Sequence, residues 1–242
     1  MRFPSSSGHA VGVRPIADRV ATSATLARLI GGASFAASGV GFLISVSCLI
    51  LLEGPGRPAI DSQLGTASGQ ALLNANVATA IIGAILYVMA SAMLWRLLHH
   101  ISEEATLLVL ALAGVVAATI IALMAFNYVQ VAVVQEGYST GDPSFHQLVV
   151  SAHAFADVGG WSAIAMLGLS VLLTSIAIWQ AGHWRALAVA GWCLVAILVL
   201  LFAADSSYAF LIPFSLWEIA MGAWCVWAAP KQVGFPDINR SA

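Results

Sequence analysis

The chain has 242 residues, of which 60% are hydrophobic and 8% are charged. A soluble domain carries roughly 25% charged residues, so this inventory cannot clothe a water-facing surface, and a polytopic membrane protein is the class that fits. Nine Lys/Arg against eleven Asp/Glu leave a net charge of −2, which offers nothing to a polyanion and excludes nucleic acid as a partner.

In chain order, residues 1–25 hold Arg2, Arg14 and Arg19 among Ser, Gly and Pro, and read as a mobile cytoplasmic tail. The first crossing is expected over 29–52, where no charge intervenes between Arg28 and Glu53. That run exceeds the ~20 residues a bilayer core requires, whereas a cleavable signal would have a shorter apolar core and a small-residue cleavage site. Its first half, GGASFAASGVG, sets Gly32/Ala36 and Ala37/Gly41 four apart, pairs that let helix backbones approach closely in lipid. A phosphate-binding loop is the other reading of these glycines, but no GK[ST] follows and no strand precedes them. The segment Glu53-Gly54-Pro55-Gly56-Arg57-Pro58 ends the helix.

A second crossing is expected over 73–97, closed by Arg96, His99 and His100. Ser102-Glu103-Glu104 then reads as a helix N-cap with acids in the first turn. A third crossing is expected over 105–134, turning polar at Asn127, Tyr128 and Gln130, and an acidic, turn-rich loop over 135–145. The fourth helix spans 146–180; at 1.5 Å per residue it is roughly 50 Å long, so its first turns stand outside the bilayer or it breaks near Gly159-Gly160. The fifth crossing is expected over 186–204. The sixth covers 208–229, with Pro213 one turn inside it, and 231–242 form a second cytoplasmic tail. The fold class is therefore all-α: a polytopic membrane bundle of six transmembrane helices over 26–230.

Basic residues orient it. With the N-terminus inside, the inner segments hold Arg2, Arg14, Arg19, Arg28, Arg96, Arg185, Lys231 and Arg240, and the outer ones only Arg57. This distribution is the positive-inside pattern and places both termini in the cytoplasm. Trp95, Trp161, Trp179, Trp184 and Trp227 fall near span ends, as an interfacial aromatic belt would. Cys48, Cys193 and Cys225 lie in apolar runs without a CxxC pair and read as small packing residues.

Function is to be sought where ionisable groups sit at membrane depth, since burying them is costly unless they are paired or hydrated. His153 and Asp157 are four apart and share a helix face. His146 extends that stripe outward, and Asn127 and Gln130 arrive at similar depth from the third helix. Together they point to a hydrated concavity in the outer half of the bundle; the plainer reading is a His153–Asp157 hydrogen bond tethering helices. Glu218 lies near the middle of the sixth span, where a carboxyl is expected to be neutral or paired. It is either a proton carrier or cation partner, or a protonated acid bonding a neighbouring helix. Pro213 leaves the Ala209 carbonyl without its helical partner and invites a kink. His99, His100 and His183 cluster at inner ends, but no HxxxH or HExxH spacing makes them a metal site.

Several chemistries are set aside. Lys231, the sole lysine, lies outside the spans, so a Schiff base has no candidate. A serine protease would need a histidine that the last span lacks. No cofactor is predicted; haem b would need a second ligand beside His153, and a quinone stays open with it.

The arrangement resembles a bacterial family of membrane proteins, domain-of-unknown-function family 4386, over about residues 27–230. The likeness rests on the Gly/Ala-rich first span and the start Leu73-Asn74-Ala75-Asn76. It extends to the exit LYVMASAMLWRLLHHISEE (86–104) and the ending WEIAMGAWCVWAAP (217–230). The resemblance implies six helices in a bacterial inner membrane and names no activity. The function expected is a non-enzymatic binding, sensing or accessory subunit, in contact with lipids and with itself or a larger membrane complex. A small proton-linked transporter using Glu218 and His153/Asp157 is the alternative, and a haem- or quinone-binding redox subunit the second.

Overall fold

Backbone groups in lipid find no water to bond, so a chain this apolar must satisfy them within helices. The computed structural model describes the backbone of residues 16–53, 66–140, 143–182, 184–204 and 207–227, and side chains within 25–52, 66–129, 157–182, 184–204 and 209–227. Six helices follow in order: α1 (Ile16–Glu53), α2 (Ala67–Leu98), α3 (Glu103–Thr140), α4 (Pro143–Gln180), α5 (Arg185–Ala203) and α6 (Leu211–Trp227). A 3₁₀ turn, Ser207–Phe210, leads into α6. No strand occurs among the described residues.

Among the described residues, five helices contain stretches long and apolar enough to cross a bilayer: Thr25–Leu52, Ala67–Leu98, Glu103–Val129, Asp157–Gln180 and Arg185–Ala203. The chain is thus an all-α, multi-pass membrane protein. The last helix is apolar but has 17 residues, about 25 Å of rise. Its 3₁₀ entry adds a turn, and the winding changes from 3₁₀ to α immediately before Pro213, where the expected kink would fall.

Three boundaries differ from those read in the sequence. Helix α1 begins at Ile16, inside the expected tail, because extending an existing helix needs no new nucleus. The expected loop at 135–145 is largely helix: α3 runs to Thr140 and α4 restarts at Pro143. Gln, Glu and Ser continue a helix beyond lipid, and proline is favoured at a first helical position. Helix α4 does not break at Gly159-Gly160; it is continuous. The expected acidic start of α3 is present as Glu103 and Glu104 in its first turn, while α2 is capped by Thr66, whose Oγ1 accepts from the Gly69 N–H at 3.1 Å.

Each helix packs on its sequence neighbours, and α6 returns to pack on α1, closing the order into a ring. Alternation of direction brings Arg28, Arg96 and Arg185 to one end, hereafter the basic end. There Arg28 ties α1 to α6: its Nη2 donates to the Val226 carbonyl at 2.7 Å and its Nε to that of Cys225 at 3.3 Å, satisfying carbonyls that a helix C-terminus leaves open. At the same end Arg185 stacks 4.9 Å from the centroid of Trp179, which itself packs on Trp192. The α4–α5 connection bends through Gly182 (φ 76°) and Trp184 (φ 56°), both left-handed. The large apolar side chains left exposed, such as Leu29, Ile82, Leu108, Val199 and Leu200, form the surface offered to lipid.

Candidate functional site

Close helix approach puts the site together. A methyl group at Gly39 would sit 2.5 Å from the Ser215 carbonyl oxygen, and one at Gly222 would sit 2.6 Å from that of Gly32. Without side chains there, α1 and α6 meet backbone to backbone. Gly41 does the same toward α2, where a methyl would lie 3.2 Å from the Gly83 Cα. The small-residue pairing read in the first span is therefore divided between two partners, Gly32 and Ala36 toward α6 and Gly41 toward α2.

Where these three helices converge lies Glu218, fully buried (0% exposed). Eight residues separate it from Val226, about 12 Å of helix, so it lies deep in the bundle. Its hydrogen-bonding partner among the described residues is the Ser38 hydroxyl of α1, 3.2 Å from each carboxyl oxygen. That hydroxyl also lies 2.9 Å from the Gly83 carbonyl of α2 and donates to it. One hydroxyl proton serves two oxygen partners, which bears on where the carboxyl's own proton resides.

The surroundings differ along the membrane normal. Away from the basic end, Phe42 of α1, Phe210 of the 3₁₀ turn and Phe214 of α6 are all buried, with centroids 5.9 Å apart for Phe42–Phe214 and 5.8 Å for Phe210–Phe214. Tyr87 of α2 closes on Phe214 at 6.0 Å and on Phe35 at 6.5 Å. Its hydroxyl is within electrostatic reach of Glu218 and faces Ser170 of α4, but Ser170 Oγ closes no well-formed hydrogen bond. Toward the basic end the buried groups turn polar: Ser91, Ser170, Thr174 and the Trp224 indole. On the other side, away from the basic end, Ser45 of α1 donates to Asn76 Oδ1 of α2 at 2.6 Å.

The other residues singled out in the sequence lie only in part among the described side chains. Asp157 of α4 is exposed, Asn127 is half-buried, and Tyr128 is exposed. His146 and His153 lie on the backbone of α4 and Gln130 on that of α3, with side chains outside the described residues. His99 and His100 are exposed at the basic end, His99 Nδ1 lying 3.2 Å from the Trp95 carbonyl. His183 is outside the described residues. Among the described residues no three His, Cys, Asp or Glu side chains gather as metal ligands. Cys48 and Cys225 are buried free thiols, whereas Cys193 is exposed and so meets lipid instead of the core.

Ser38, Gly83, Tyr87 and Ser170 were not picked out from sequence. The spacing of Ser34, Ser38 and Ser45, four and seven apart on one face of an apolar span, is the signal that marks a polar interior stripe; all three are buried. No family model, curated protein or solved structure matches the chain.

Proposed function

We propose that this protein is a non-enzymatic, proton-responsive subunit with six crossings of a bacterial plasma membrane, its basic end in the cytoplasm, and that Glu218 is its responsive group. The observation that carries this reading is a completely buried carboxyl held by one serine hydroxyl. Ser38 has a single proton, and its shorter contact is with the Gly83 carbonyl. Given to that carbonyl, the proton leaves the Ser38 oxygen as an acceptor, and Glu218 must supply a proton of its own. The neutral acid then completes a chain from α6 through α1 to α2. Loss of that proton leaves an unpaired charge among apolar side chains, which is costly at this depth, and the three-helix junction loosens. Such a junction is a two-state element that protonation biases, as a sensor requires. The resemblance to domain-of-unknown-function family 4386 is compatible with this role, and lipid-facing helices α3 and α5 supply surface for a larger complex or a second copy.

A small proton-linked carrier is the second reading, favoured by the same acid. One experiment separates them. In vesicles containing purified protein with the other six tryptophans replaced by phenylalanine, emission from Trp217 and Trp224 beside the site is expected to change with pH and to become pH-independent in Glu218→Gln. Proton flux, followed with an enclosed pH dye, is expected to be that of empty vesicles. Flux abolished by Glu218→Gln establishes the carrier instead, and emission that responds equally in both proteins removes Glu218 from either role.

A further inference from the structure

A responsive acid at mid-membrane needs a route for its proton, and among the described residues the buried polar atoms left without a hydrogen-bonding partner lie to one side of Glu218. Along α2, Gly83, Tyr87, Ser91 and Trp95 follow at four-residue spacing and so form one stripe. Gly83 is level with the carboxyl through Ser38, and each later member lies one turn nearer the basic end. Ser170 of α4 is level with Tyr87, and Trp224 follows Glu218 by six residues in the same direction. Four of these groups, the Ser91 and Ser170 hydroxyls and the Trp95 and Trp224 indole N–H groups, are buried without a hydrogen-bonding partner among the described residues. Ser91, Ser170 and Trp224 are all completely buried.

An indole N–H is a donor only, and leaving it unpaired in an apolar interior is costly. Two indoles and two hydroxyls, buried and unpaired on the same side of Glu218, are the setting in which internal waters are found, each bonding two to four otherwise unpaired polar groups. Among the described residues the opposite approach carries none of these unpaired groups. It is filled by Phe42, Phe210 and Phe214, stacked and tilted on one another. The titratable and charged groups facing the route are Tyr87 from α2, Cys225 from α6 and Arg28 from α1, which reaches the Cys225 and Val226 carbonyls at its mouth; α4 contributes Ser170 and Thr174, and neither it nor α5 presents a charge there among the described residues.

We propose that the polar stripe of α2, with Ser170 and Trp224, holds a file of water that connects Glu218 to the basic end, while the aromatic cluster shuts it from the other side. The ligand is water or a hydrated proton, and access is one-sided. This inference rests on the proton-responsive reading of Glu218, but its test does not.

Two measurements address it. In the unaltered protein, the indole N–H of Trp217 donates to the Leu187 carbonyl at 3.2 Å, so it is an internal standard for a closed bond. Indole resonances assigned with Trp→Phe variants are expected to show Trp224 exchanging with solvent roughly tenfold faster than Trp217, the factor one net hydrogen bond supplies, and to show a water cross-peak at Trp224. Equal protection of the two overturns the water file. Sidedness is read with silver ion, a thiol probe small enough to follow water, in a background with Cys48, Cys193 and Cys225 replaced by alanine. Ser91→Cys and Ser170→Cys are expected to react from the basic side, and Ala80→Cys, one turn beyond Gly83, from neither. Reaction of Ala80→Cys from the opposite side overturns the aromatic seal. A pH response lost in Glu218→Gln together with a protected Trp224 removes the route and leaves the acid's role standing.

Discussion

Ser38 is one hydroxyl shared between two helices, and its removal separates the neutral from the ionised state of its neighbour. Ser38→Ala leaves the Glu218 carboxyl and the Gly83 carbonyl without that link, and is expected to destabilise the protein by about 1–3 kcal/mol, measured as thermal unfolding in detergent. Glu218→Gln keeps the volume, and its amide can donate to Ser38 in place of an acid proton, so a loss under about 1 kcal/mol is expected. If Gln proves the more damaging of the two, the side chain is serving as a charge and the donor accounting is wrong. At this scale the sequence was half legible. A lone Glu in an apolar run declares itself, since no other Asp, Glu, His, Lys or Arg lies in that stretch. Its partner does not, because Ser38 is one of several small polar residues in α1, and which of them meets α6 depends on helix rotation and depth, neither of which periodicity encodes.

Helices α1, α2 and α6 are held by the absence of side chains as much as by their presence. Gly39 faces backbone, so Gly39→Ala must push α6 away and is expected to cost about 1–3 kcal/mol and to loosen the seat of Glu218. Gly114 of α3 has nothing within 4 Å of a would-be methyl, and Gly114→Ala is expected to be neutral or to stabilise by up to about 1 kcal/mol. Equal effects of the two in the same unfolding assay would remove close approach as the basis of the junction. Helix existence was readable from uninterrupted apolar runs, and helix ends were readable where Pro and Gly follow, as at Glu53. They were not readable where polar residues simply carry a helix past the lipid, as from Gln135 to Thr140. The outer concavity expected from His146, His153 and Asp157 assumed that polar residues on successive helices converge. The His146 and His153 side chains of that expectation lie outside the described residues, Asp157 is exposed, and the described polar side chains that meet are those around Glu218.

The whole molecule alternates direction, and this predicts sidedness. A cysteine at Thr66, the cap of α2, and one at Ser102, before α3, lie at opposite ends of one helix. With a membrane-impermeant maleimide on whole cells, Thr66→Cys is expected to label directly and Ser102→Cys only after the membrane is opened. Labelling of both from one compartment would overturn the arrangement and, with it, the cytoplasmic approach to Glu218. The ring closed by α6 against α1 has a consequence in time. As the chain leaves the ribosome, α1 and α2 enter the bilayer with Ser38 and the Gly32–Gly39 face already present, but their matching surface, α6, is made only after three further helices. Until α6 is made, that face is open to lipid and to any passing partner. Newly inserted protein should therefore pass through a half-built stage that a chaperone or a membrane protease can recognise.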